Sequence, residues 1–106
     1  GRKDCMIKYN LNKEKLEVRL SGELDVNEAI DLRKELLEYI NQGHNKIVVN
    51  VEELNNIDST GLGVLVTANK LARNREGNVY IEGLKGYVKK IFQLTRLDRV
   101  FQIGHD

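Results

Sequence analysis

The sequence contains no proline and only one cysteine, Cys5. Without proline, no rigid linker or breaker marks an internal boundary, and no repeat or low-complexity tract appears. A single thiol excludes an internal disulfide and suits a reducing compartment. The two histidines, His44 and His105, stand far apart and give no metal-ligand spacing. Basic and acidic residues nearly balance, 17 against 16, so no global field draws the chain onto nucleic acid or an anionic membrane. No apolar run approaches the roughly 20 residues of a membrane span, and no signal-peptide pattern is present. The expected location is the cytoplasm. Neither a Gly-x-Ser-x-Gly elbow, nor a helical pair of metal ligands, nor a Walker Lys-Ser/Thr occurs, so no enzyme and no cofactor is expected.

What is present suits a soluble globular domain. Apolar residues make up 41% and charged residues 31%, which supports a core and excludes a disordered tail. At 106 residues the chain is long enough for one core and too short for two. We therefore read residues 1–106 as a single domain, with residues 1–5 as a terminal remnant.

Met6, Ile7 and Tyr9 open a strand, and Asn10-Leu11-Asn12-Lys13 supplies turn chemistry. Leu16, Val18 and Leu20 alternate with Glu17 and Arg19, predicting a half-buried strand paired in a hairpin and ending at Ser21-Gly22. Asp25 is placed to cap a helix, with Glu28 as the third residue of a capping box. Ala29, Arg33, Leu36, Leu37 and Ile40 recur at helical spacing, and Ile30 and Leu32 widen that face. Gly43 is the expected stop.

Ile47-Val48-Val49-Asn50-Val51 is a short β-branched run that predicts a buried strand. Leu62, Leu65, Val66, Ala68, Leu71 and Ala72 then predict a helix to about Arg73 or Asn74, with Arg73 and Arg75 suiting its negative end. Val79-Tyr80-Ile81 is a further strand ended by Gly83. Val88, Ile91, Phe92 and Leu94 face inward from a third helix. Leu97, Val100, Phe101 and Ile103 close the core, with a brief strand at 99–102. The order β-β-α-β-α-β-α-β defines an α/β fold: a mixed sheet whose later strands are parallel, joined by right-handed helical crossovers.

Ligands of such sheets gather at strand C-terminal ends, which makes Asn56-Ile57-Asp58-Ser59-Thr60-Gly61-Leu62-Gly63 the candidate site. It sets two hydroxyls at a helix entrance, where unpaired backbone N–H groups and the positive dipole end favour an anion. Ser59 and Thr60 either cap the helix or present a hydroxyl for modification, and Asp58 could itself be the cap. Gly61 and Gly63 are expected to let the helix pack closely on the sheet. Glu23 and Asp25 read equally as a cap or as an acidic contact loop.

Gly22-Glu23-Leu24-Asp25, a strand, and then Ile57-Asp58-Ser59-Thr60-Gly61-Leu62-Gly63 resemble the STAS domain, and more narrowly the bacterial anti-sigma factor antagonists. The resemblance covers nearly the whole chain in length and element order. It implies a partner switch: the unphosphorylated protein binds an anti-sigma factor that is also an ATP-dependent serine kinase, and so frees a sigma factor. It maps the phosphorylated serine onto Ser59, with Asp58, Thr60, Gly61 and Gly63 flanking it. Partner contacts are expected at Glu23, Asp25, Asn56, Ile57 and Leu62, a serine phosphatase resets the switch, and the protein is expected to be a monomer. STAS-like domains also serve as ligand- or partner-binding subunits of transporters and sensory complexes without phosphorylation, which is the alternative reading.

Overall fold

The computed structural model of the chain describes residues 5–104. Strands β1 (Cys5–Leu11) and β2 (Leu16–Leu24) form a hairpin, followed by α1 (Val26–Asn41), β3 (Lys46–Ile57) and α2 (Ser59–Arg73). Strand β4 (Asn78–Glu82), α3 (Gly86–Leu94), a 3-10 turn (Leu97–Arg99) and β5 (Gln102–Ile103) complete the domain. The sheet runs in chain order β1-β2-β3-β4-β5; β1 and β2 are antiparallel and every later pairing is parallel. The mixed sheet with helical crossovers is thus as the alternating pattern predicts. Residues 1–4 and His105 lie outside the described residues. Cys5, however, belongs to the domain: it is buried and paired with Gly22 in the first strand.

The hairpin turn is made by one side chain. Asn12 Oδ1 accepts from the backbone N–H groups of Glu14 and Lys15, both at 2.9 Å, mimicking a backbone turn. In β2, Leu16, Val18 and Leu20 point to the core, opposite Ile47 and Val49 across the parallel register. The strand does not stop at Ser21-Gly22. Gly22 takes a φ of 84° and the register shifts around it, so the strand absorbs an irregularity and continues to Leu24. That extension gives β3 a partner beyond Val51, and β3 runs on to Ile57.

Helix α1 buries Ala29, Leu32, Leu36 and Ile40. Its apolar face is narrower than the spacing suggests, because Ile30 is 57% exposed and Arg33 is exposed. At its end Gly43, with a φ of 98°, reverses the chain while its N–H and that of His44 close onto Ile40 O and Tyr39 O. Helix α2 buries Leu62, Val64, Leu65, Ala68 and Ala72, and Leu71 lies at the surface. Arg75 lies past the end of α2, and its Nη1 donates to Ile40 O at 2.7 Å, satisfying the C-terminus of α1 rather than its own helix.

Two further expectations at the C-terminal end are corrected. Leu94 is 77% exposed and Val100 also faces outward; Val88 and Phe92 carry the inner face of α3, and Phe92 meets Phe101 at 5.9 Å. The brief strand is Gln102–Ile103, because Arg96 in the left-handed region starts a 3-10 turn through Arg99. No helix among the described residues is long and apolar enough to cross a membrane.

Candidate functional site

The site is built where two neighbouring parallel strands end together. Glu23 is in register with Asn56, and Leu24 with Ile57. The next residue on each strand, Asp25 and Asp58, is extended, and each is the N-cap of the helix that follows. Asp25 Oδ1 accepts from Asn27 N at 3.0 Å and Glu28 N at 3.2 Å. Asp58 Oδ1 accepts from Gly61 N at 3.0 Å, while its backbone carbonyl accepts from Leu62 N to start α2. The open question of what caps α2 is therefore answered by Asp58. Ser59 and Thr60 are the first two helical residues and leave their side chains exposed.

An exposed hydroxyl on the first helical residue sits beside backbone N–H groups that have no intrahelical acceptor. Added negative charge at that position meets the positive end of the helix dipole. The neighbouring Asp58 carboxylate is already occupied with Gly61 N. The arrangement thus leaves Ser59 exposed on the first turn of α2, in an environment that tolerates an anion.

The two glycines of the motif do different work. A Cβ on Gly61 would lie 2.8 Å from both Leu24 Cδ2 and Ile57 Cγ1, so only glycine lets the helix entrance seat on the two strand ends. A Cβ on Gly63 would meet nothing within 4 Å. The expected close packing therefore holds at Gly61 and is corrected at Gly63.

The fold brings Glu23, Asp25, Asn56, Asp58, Ser59 and Thr60 to one edge, all exposed. Ile57 and Leu62 lie beneath them, 3% and 8% exposed, where they support the edge from the core instead of offering surface to another molecule. His44 precedes β3 and packs edge-on against Tyr39, at the opposite end of that strand from Ser59, so the two do not form a nucleophile–base pair. Among the described residues no group of three or more His, Cys, Asp or Glu side chains is placed to hold a metal ion.

Asn69 escaped the sequence reading. It is a buried polar residue on α2 whose Oδ1 accepts from Val79 N at 2.9 Å, tying the helix to β4. An asparagine on the apolar side of a helical repeat was the available signal.

A small α/β domain with a capped, exposed serine at the C-terminal edge of its sheet is the class that this fold and site define. The STAS domain profile matches residues 7–106. The anti-sigma-B factor antagonist of Staphylococcus aureus (strain NCTC 8325 / PS 47) is 32% identical over 88 residues, covering 83% of this chain and 82% of that protein. The chain belongs to the STAS domain family and, within it, with the anti-sigma factor antagonists. Among solved structures, it is similar to a candidate anti-sigma factor antagonist from Thermotoga maritima, with a TM-score of 0.82, 27% identity, and coverage of 94% of this chain and 86% of that one. It shares its fold with SpoIIAA in the unphosphorylated form, at a TM-score of 0.79 and 22% identity over 95% of this chain and 89% of the other. The match to Bacillus SpoIIAA in the phosphorylated form has a TM-score of 0.78 and 23% identity, over 95% and 93% of the two chains.

Proposed function

We propose that this chain is an anti-sigma factor antagonist switched by phosphorylation of Ser59. Unphosphorylated, it binds an anti-sigma factor that is also an ATP-dependent serine kinase and thereby releases a sigma factor. The kinase transfers phosphate to Ser59 and the complex separates; a serine phosphatase restores the binding form. In this reading Ser59 is a substrate, and the catalytic groups belong to the partner.

The observation that carries the reading is the exposure of Ser59 on the first turn of α2, next to a cap already made by Asp58. A phosphoserine there adds roughly −1.5 to −2 charge, which the helix N-terminus accommodates without refolding. The switch then acts at the interface. A dianion dried against a packed partner without its own cation costs several kcal/mol, on the order of a hundredfold or more in affinity.

Incubation with the cognate kinase and ATP, read by intact mass, tests the assignment. One phosphate is expected on the wild type and none on Ser59→Ala, and the phosphorylated protein should lose its affinity for the kinase. A wild type that takes up no phosphate would favour a STAS-type subunit of a transporter or sensory complex instead.

A further inference from the structure

The sheet has a second face, away from the core. Leu16, Val18, Ile47, Val49, Val79 and Ile81 are buried, and the residues that alternate with them point to the other side. The register sets those residues in rows across the strands. One row is Lys8, Arg19, Asn50 and Glu82, from β1 to β4; the next is Asn10, Glu17, Val48, Tyr80 and Gln102, from β1 to β5. Every residue of both rows is exposed or half-buried. A hollow of about 350 Å3 on this face is lined by strand residues only, so no helix covers it.

The first row carries its charges unevenly. Lys8 and Arg19 stand directly opposite one another, a placement that like charges disfavour. Among the described residues neither has an ion-pair partner, and the acid Glu17 is engaged instead by Lys15 at 3.4 Å. Glu82, at the far end of the row, lies two strands from Arg19 and accepts only from Asn50 Nδ2, at 3.3 Å. One end of the row is thus two cations without an acid, and the other is an acid without a cation.

A two-fold axis along β3, between two copies laid face to face, reverses each row onto itself. It sets Arg19 of each copy against Glu82 of the other. On the axis Asn50 meets Asn50 and Val48 meets Val48; beside it Glu17 meets Tyr80, whose hydroxyl can donate to it, and Asn10 meets Gln102. No like charges face each other in either row. We propose that this open face binds a second copy of the chain, through paired Arg19–Glu82 contacts around Val48 and Asn50. The pairing replaces the monomer expected from the sequence, and it does not depend on Ser59, which starts α2 and lies outside both rows. The face is five strands wide, about 20 Å, and mostly polar, so the dimer belongs to the weak, salt-sensitive class and forms as concentration rises.

Sedimentation velocity over a series of protein concentrations, at low and at high salt, tests the pairing. The samples are wild type, Arg19→Glu, Glu82→Arg, an equimolar mixture of those two variants, and Leu94→Ser as an exposed control on α3. Wild type and Leu94→Ser should dimerise alike at low salt and dissociate at high salt. Each charge reversal alone sets like charges across the axis and should weaken self-association about tenfold or more. In the mixture each reversed charge faces the other, so a heterodimer should form with the wild-type affinity, which also shows that both variants are folded. A wild type that stays monomeric at every concentration overturns the proposal. So does a dimer that survives both reversals, or a mixture that associates no better than its components.

Discussion

Asp25 and Asp58 occupy equivalent positions on adjacent parallel strands, one residue past the Leu24–Ile57 register pair, and each caps its own helix through Oδ1. A sheet edge with two capped helix entrances side by side is a stiff platform. Ser59 follows directly on the Asp58 cap, exposed on the first turn of α2.

Removing the Asp58 cap should loosen that platform. Asp58→Ala leaves Gly61 N without its acceptor and is expected to destabilise the protein by about 1 kcal/mol in urea unfolding. Asp58→Asn keeps an acceptor oxygen and should retain most of the stability. If both variants unfold at the same urea concentration as wild type, the cap contributes nothing.

The two motif glycines should respond to alanine in opposite directions. Gly61→Ala forces a methyl against buried Leu24 and Ile57 and should destabilise by about 1–3 kcal/mol, partly offset by its better helix propensity. Gly63→Ala enters open space and should stabilise by roughly 0.5–1 kcal/mol. Paired denaturation curves check both signs at once.

Asn69 should behave as a structural polar group. Asn69→Leu strips Val79 N of its side-chain acceptor inside the core and is expected to cost about 1–3 kcal/mol. Lys70→Ala, one residue along on the exposed face, should stay within about 0.5 kcal/mol of wild type. Equal stability of the two variants would contradict the tie between α2 and β4.

The hairpin edge should carry an alkaline signature. Tyr9 stacks 5.8 Å from Tyr39, and burial first, then the Glu35 carboxylate, push its phenol well above the ordinary value of 10.0. The unfolded chain loses this proton at lower pH than the folded one, so the contribution is whole below about pH 10 and is lost as pH rises above it. In urea unfolding from pH 8 upward, wild type should lose stability relative to Tyr9→Phe above pH 10. A constant difference would show that Tyr9 ionises alike in both states.

The sequence by itself determined the kinds of element, their order and the motif. Alternation at Leu16, Val18 and Leu20, the β-branched run from Ile47, and the glycine stop at Gly43 are local signals with local causes, and they specify a strand, a strand and a helix end. Asp58-Ser59-Thr60-Gly61 likewise announced a helix entrance bearing hydroxyls, while which side chain caps it was decided by the fold. Only the tertiary structure decided how far β2 and β3 extend, because strand ends are set by having a partner to pair with, and Gly22 let β2 supply one as far as Leu24. It alone brought Asp25 level with Asp58, sent Ile30 and Leu94 outward, and directed Arg75 onto the end of α1. Those outcomes depend on which neighbour lies across a sheet or between helices, and spacing along one chain carries no term for that.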